Sequence, residues 1–409
     1  MLNMATTSVN VSMSTRGFRV ALIVAVMLML RPFSMDTYLP SFPDIAHAFH
    51  AADWQLQQTL SLYMLSFGAM TLVYGPLSDA YGRRRLALTT LVLHTLFSIG
   101  CALAENFYWL LIMRIGQGLT ASAVAVVGRA VVRDSFSGVQ AQKVMMLLGV
   151  GPAVASILGG HLHDAYGWRT VFWFLTAFGA CLFVWTAKML PETHTSTRQS
   201  ANPRAIAVAY WHSIKNLRFM LLVLSLSLNF GGIFLYIAGA PTLLYQHLGL
   251  GSDQFSYLFV PLVVAWVFGA FISGRRAGRF TPEQTVAVGS TIMFVASVIN
   301  LATSLLLPPR LWAVVGPGMI YVVGLSMTMS SLILLALDCM PNRRGLAAAV
   351  QNFVPMLFLA LITGAMVPLL ARHLWMLAAG MFVFASLSMA LWFWYRRLPP
   401  VAVQHSSMS

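Results

Sequence analysis

The position in this sequence best placed for chemistry is an aspartate set inside a run of apolar residues. Asp36 lies in Pro32-Phe33-Ser34-Met35-Asp36-Thr37-Tyr38-Leu39-Pro40, whereas the rest of the 11 acidic residues fall in connections or near the ends of apolar runs. A carboxyl group held away from water can take up and release a proton, which makes Asp36 a candidate proton site. Two cations are similarly placed: Arg31, and Arg114 in Met113-Arg114-Ile115-Gly116-Gln117-Gly118. An arginine in hydrocarbon costs from about 2.5 kcal/mol upward, so each should turn to a cavity or a polar partner. Five residues at 100° per step put Arg31 roughly 140° around a helix from Asp36. The two are therefore expected on different faces, with direct neutralisation only where Pro32 kinks the chain. Arg114, Gln117, Gly118, Ala121 and Ser122 fall on one small, polar face at helical spacing.

A third constellation is the loop Gly75-Pro76-Leu77-Ser78-Asp79-Ala80-Tyr81-Gly82-Arg83-Arg84-Arg85. Asp79 can pair with a nearby arginine or a helix N-terminus in one conformation and lose that partner in another, which is the chemistry of a latch. Nothing reads as a catalytic centre, and no cofactor or metal is expected. There is no G-x-x-x-x-G-K-[ST] string for ATP. His161 and His163 beside Asp164 read as surface imidazoles, His47 and His50 as residues of an external loop, and His94 as packed within a helix. Cys101, Cys181 and Cys339 lack metal-ligand spacing and read as packing residues.

The elements that must position these groups follow from composition. Of 409 residues 58% are apolar and only 9% charged, against about 25% charged in a soluble domain. The surrounding solvent is therefore lipid. About 20 apolar residues cross about 30 Å of hydrocarbon as a helix, and twelve segments qualify, near 19–39, 55–77, 86–104, 108–130, 144–166, 170–190, 219–244, 255–273, 285–307, 311–337, 346–371 and 374–395. With the N-terminus inside, twenty of the 25 Lys and Arg residues, Arg129 among them, fall on inner loops and tails, and only Arg169, Arg310 and Arg372 on outer ones. The net charge of +14 thus reports basic cytoplasmic loops rather than nucleic-acid binding. The hydrophilic stretch PETHTSTRQSANPR divides six spans from six. The expected organisation is a cytoplasmic tail (1–18), a six-helix bundle (19–190), a cytoplasmic linker (191–218), a second six-helix bundle (219–395) and a cytoplasmic tail (396–409).

Several of these strings resemble a known family. The Gly75 to Arg85 loop is similar to G-x-L-x-D-x-x-G-R-[RK] between the second and third spans of the major facilitator superfamily, where it helps lock the inner gate. Its residues here are Gly75, Asp79, Gly82, Arg83 and Arg84. Met113 to Gly118 resembles the superfamily's L-R-x-x-Q-G element. Gly151-Pro152 and Gly159-Gly160 resemble the Gly-Pro…Gly-Gly element of its proton-coupled drug antiporters. Asp36-Thr37-Tyr38-Leu39-Pro40-Ser41-Phe42-Pro43 is similar to the D-x-Y-L-P-x-x-P of the bicyclomycin and chloramphenicol resistance type. Leu190-Pro191-Glu192-Thr193, Tyr236 to Pro241 and Arg344 to Ala349 extend the match along the chain. Departures are Ser156 where a second Pro is frequent, Arg31 where relatives are usually apolar, and Ser273 at the repeat position of Asp79.

The resemblance implies an all-α membrane protein of twelve helices in two six-helix bundles. It also implies a bacterial inner-membrane monomer that exports drug-like or amphipathic small molecules in exchange for protons, with Asp36 and Arg114 coupling the proton. Cavity candidates are Arg31, Tyr38, Tyr63, Gln117, Asn229, Phe230, Tyr236, Asn352 and Phe353, with ordinary helix packing the competing reading for each. Arg31 is expected to disfavour cationic drugs. The same fold would also serve a transporter of one defined metabolite, and more remotely a receptor or scaffold without transport.

Overall fold

The computed structural model describes residues 15–135, 151–192, 203–276, 279–341 and 344–399. Lys143, Gly149, Arg198 and Arg343 lie outside them, as does the start of the fifth expected span.

In lipid every backbone polar group must be satisfied within its own segment, and the chain does this with long helices. The N-terminal half contains α1 (Thr15–Asp36), a short α2 (Phe42–Phe49), α3 (Asp53–Tyr81), α4 (Arg83–Ala102), α5 (Phe107–Ser135), α6 (Gly151–Tyr166) and α7 (Trp168–Met189). After the connecting helix α8 (Pro203–Lys215) come α9 (Leu217–Ala238), α10 (Ser256–Arg276), α11 (Pro282–Leu306) and α12 (Leu311–Asp338). The chain ends with α13 (Arg344–Leu361), a wide π turn into the short α14 (Val367–Leu370), and α15 (Leu374–Arg397). Among the described residues 11 helices are long and apolar enough to cross a membrane. The fifth expected span is represented by α6, whose 16 residues begin where description resumes. Prolines 32, 76, 261, 317 and 355 sit inside helices, which neighbouring helices make tolerable in a membrane bundle. Leu96, Trp109, Ile112, Phe268, Leu334 and Phe393 are exposed on the outside of the bundle, where lipid would cover them.

Small residues let helices meet at backbone distance. A Cβ on Gly118 of α5 would lie 2.3 Å from the Tyr63 carbonyl oxygen of α3, and one on Gly324 of α12 would lie 2.6 Å from the Gly289 carbonyl oxygen of α11. The two halves meet along a seam. On the face away from α8 it is closed by hydrogen bonds from Gln57 to the Ala238 carbonyl (3.0 Å), Gln58 to the Gly364 carbonyl (2.8 Å), Ser61 to the Ala360 carbonyl (2.7 Å) and Tyr245 to the Pro40 carbonyl (2.8 Å). Ser252 donates to Asp164 on the same face. Nearer the α8 face, Arg129 reaches Asn352 (2.7 Å), and Tyr210 of α8 donates to the Leu72 carbonyl (2.8 Å). Burial pushes the Tyr210 phenol up to about 12, so it stays a neutral donor there.

Candidate functional site: a broken first helix and its arginines

Helix α1 stops at Asp36, before a turn and the Leu39–Ser41 segment, whose Pro40 cannot continue a helix ladder. The last four carbonyls of any helix lack intrahelical donors. Here Thr37 donates to the Phe33 carbonyl, and Arg114 Nη1 donates to the Ser34 carbonyl at 2.8 Å. A guanidinium at a helix C-terminus also meets the favourable end of the dipole. The cost of burying Arg114 is offset in this way. Its Nη1 also bonds Gln117 Oε1 at 2.8 Å, and its planar group lies 4.7 Å from the Tyr38 ring centroid and 4.6 Å from that of Tyr63. Nε and Nη2 find no acceptor among the described residues, and the group meets aromatic faces instead.

This cluster extends inward. Gln117 donates to Ser98 (2.8 Å), Ser98 to the His94 carbonyl (2.8 Å), and the His94 ring spans Ser34 Oγ (3.4 Å) and Thr120 Oγ1 (3.2 Å). His94, read from sequence as a packed residue, is fully buried and belongs to this polar network. Tyr38 and Tyr63, cavity candidates with helix packing as the competing reading, are completely buried, their rings against the Arg114 guanidinium.

Asp36 is 6% exposed and makes no hydrogen bond or ion pair with the described residues. Arg31 acts on it electrostatically. The two make no direct ion pair, in keeping with their spacing along α1, and in a poorly screened interior they couple at longer range. Arg31 lies with its guanidinium 5.6 Å from the Phe67 ring centroid of α3. The Gly-Pro…Gly-Gly element packs on the same end of α1. A Cβ on Gly151 would lie 2.8 Å from Pro32, one on Gly159 2.3 Å from the Thr37 carbonyl oxygen, and one on Gly160 2.5 Å from the Ser252 carbonyl oxygen of the other half. Pro152 offers its carbonyl to Ser156 (2.9 Å), so Ser156 bonds where a second proline would not.

The Asp79 loop turns at Gly82, whose φ of +92° suits glycine, and a Cβ there would lie 2.8 Å from the Glu192 carboxylate. Glu192 accepts from the backbone N–H groups of Arg83 (3.0 Å) and Arg84 (3.2 Å) and so caps α4. Arg83, 3% exposed, pairs with Asp79 at 3.6 Å and with Asp134 at the end of α5, and Arg84 donates to the Ala187 carbonyl (2.6 Å). Gly75 has open space around it. Asp134 and the capping role of Glu192 escaped the sequence reading, because nothing in their local pattern places them beside Arg83.

The C-terminal candidates are dispersed. Asn229 is buried with its amide unpartnered, while its carbonyl accepts from Tyr321 (2.9 Å). Tyr236 accepts from Asn300 (2.6 Å), and Phe230 stacks on Phe234. Asn352 accepts from Arg129, and the Phe353 carbonyl lies beside Gly68 of α3. Arg129, expected as a loop anchor, instead sits within α5 and faces the seam. Its setting in Val126-Val127-Gly128-Arg129-Ala130-Val131-Val132 was the available signal. His163 is also less superficial than expected: it approaches Asp44 at 3.6 Å.

A family model described as the Major Facilitator Superfamily matches residues 24–361. The chain belongs to this superfamily. It is a multi-pass membrane transport protein and not an enzyme. It is 31% identical over 350 residues to the uncharacterized MFS-type transporter YdgK of Bacillus subtilis, covering 84% of this chain and 87% of that protein. It is 30% identical over 300 residues to a chloramphenicol resistance protein of Pseudomonas aeruginosa, covering 69% of each. A bicyclomycin resistance protein homolog of Haemophilus influenzae is 29% identical over 301 residues, covering 70% of this chain and 73% of that protein. The fold is similar to the crystal structure of a bacterial homolog of the human lysosomal transporter Spinster, solved in an inward-facing and unoccupied conformation. The TM-score is 0.68 at 15% identity, over 95% of this chain and all of that one. At that identity the likeness speaks to fold alone.

Proposed function

We propose that this protein is a secondary active transporter that exports drug-like or amphipathic small molecules in exchange for protons. In this reading it sits as a monomer in a bacterial inner membrane, with both termini and the α8 face cytoplasmic. One observation carries the proposal: Asp36, the one acidic residue set within a spanning segment, is buried at the broken end of α1 and makes no hydrogen bond with the described residues. A carboxyl group there can be neutral in one conformation and charged in another as the seam opens to either side. Arg31 supplies its counter-charge, and Arg114 holds the helix end that presents it. The Asp79–Arg83–Asp134 cluster and the Glu192 cap would act as the latch on the α8 face. A proton moving down about 100 mV provides about 2.3 kcal/mol, close to 50-fold in substrate gradient. The names of the resistance relatives support drug-like cargo. The test is energised dye uptake into everted vesicles: it should collapse when the proton gradient is dissipated and be absent in Asp36→Asn at equal expression. Gradient-dependent uptake by that variant would remove Asp36 from the mechanism.

A further inference from the structure

We infer that the seam between the two halves contains an anion site formed by Arg31 and Arg129, and that the transported molecule is an amphipath bearing one carboxylate, sulfonate or phosphate group. This deepens the transport reading and rests on it.

The argument starts from charge. Three arginines, Arg31, Arg114 and Arg129, lie well inside spanning helices, against one carboxylate, Asp36. All the other Asp and Glu residues sit at helix ends or in connections, and the stretches outside the described residues contain none. No hidden carboxylate is therefore available. Arg114 is accounted for by a helix-end carbonyl, Gln117 and two tyrosine faces.

The other two are not. Arg31 makes no hydrogen bond with the described residues and is partly exposed. Arg129, also partly exposed, is held among the described residues by one neutral acceptor, Asn352 of the opposite half, at 2.7 Å. Arg31 lies on Phe67 and Arg129 on Asn352, and the next residues along, Gly68 and Phe353, meet across the seam; the two cations thus face one stretch of it and repel, and arginine cannot relieve this by losing its proton. Asp36 offsets one of the pair, which leaves one positive charge facing the seam.

A single anionic group would balance it. Guanidinium forks match carboxylate and phosphate oxygens in two parallel hydrogen bonds. The wall beside them is apolar, with Phe67 under Arg31 and Met356 against Gly68. A charged head with an apolar body fits that surface.

The test is binding to the full-length protein purified in a neutral detergent, without any proton gradient. The probes are one naphthalene scaffold carrying a carboxylate, a carboxamide or a trimethylammonium group. The carboxylate should bind about tenfold or more tighter than the carboxamide, and the ammonium weakest. Arg31→Gln and Arg129→Gln should each remove most of that preference while carboxamide affinity and the melting temperature stay near wild type. Arg129→Lys should retain part of it. Equal affinities across the series, or a carboxylate preference that survives both Gln variants, would overturn the inference. So would full displacement of the naphthoate by phosphatidylglycerol at equal concentration, since the occupant would then be a lipid headgroup. Because no gradient is applied, a failure here leaves Asp36-driven export standing. A loss of proton dependence in vesicles would likewise leave this binding order unmoved.

Discussion

The two halves of the molecule share a six-helix plan and differ in what they bury. The N-terminal half buries Asp36 and Arg114 together with His94 and Gln117, and carries the half-buried Arg31 and Arg129. The C-terminal half buries neutral polar groups: Asn300 on Tyr236 (2.6 Å), Ser225 on Ser388 (2.7 Å), and Tyr321 on the Asn229 carbonyl (2.9 Å). Neutral hydrogen bonds between membrane helices contribute about 0.6 kcal/mol each on average, whereas an interior charge costs several times that and survives only where the fold satisfies it. The interior charges are therefore concentrated in the first half. The second supplies a wall and, through Asn352, Ser252 and Ala238, contact points on the seam.

The most demanding test of this asymmetry is Asp36→Asn, which should reduce proton-driven export at least 100-fold, to background, with the folded protein intact. Asn300→Leu, a buried neutral change in the other half, should leave export within about threefold, a cost near that of one membrane hydrogen bond. Comparable losses from the two would end the claim that the halves differ in role.

Next in size is Asp79→Asn. Weakening the Arg83 cluster shifts the balance between conformations without touching cargo. Turnover should fall about tenfold, while binding affinity in detergent changes less than about twofold. An affinity loss at unchanged turnover would place Asp79 in the binding site instead.

Packing offers a comparison of equal kind in both halves. Gly118→Val would drive two methyl groups into the Tyr63 backbone and Ser66, and Gly324→Val would do the same at Gly289 and Met293. Each should destabilise by about 1–3 kcal/mol and lower the melting temperature in detergent. Only the Gly118 change should also move the Arg114 cluster, seen as altered quenching of tyrosine fluorescence. The last contrast concerns cargo choice, at Arg31→Leu. That substitution should shift the ratio of lipophilic-cation export to neutral-drug export by about fivefold toward the cations. An unchanged drug profile at equal expression would make Arg31 a packing detail.

How much of this was legible beforehand varies with the kind of interaction. Asp36 and Arg114 stood out because a charge inside an apolar run is conspicuous wherever its partners lie. Arg129 was misassigned because it sits near a run's end, where loop and seam look alike in one dimension. His94 read only as a packed residue because a lone imidazole shows nothing of the Ser34 and Thr120 hydroxyls that reach it from other helices. The pairing of Arg83 with Asp134, and the Glu192 cap on α4, join residues about 50 and 110 positions apart.

Sequence alone determined that the chain lives in lipid, that it crosses as helices, and that few charges enter the interior, since transfer energy and helix length are local properties that add along the chain. Tertiary structure alone decided which of those charges meet. The rotation of each helix and the distance of its approach depend on small residues such as Gly118, Gly151 and Gly159 seating against particular backbones. At those distances a carbonyl, an aromatic face or a second arginine becomes the partner, and no spacing along the chain specifies which.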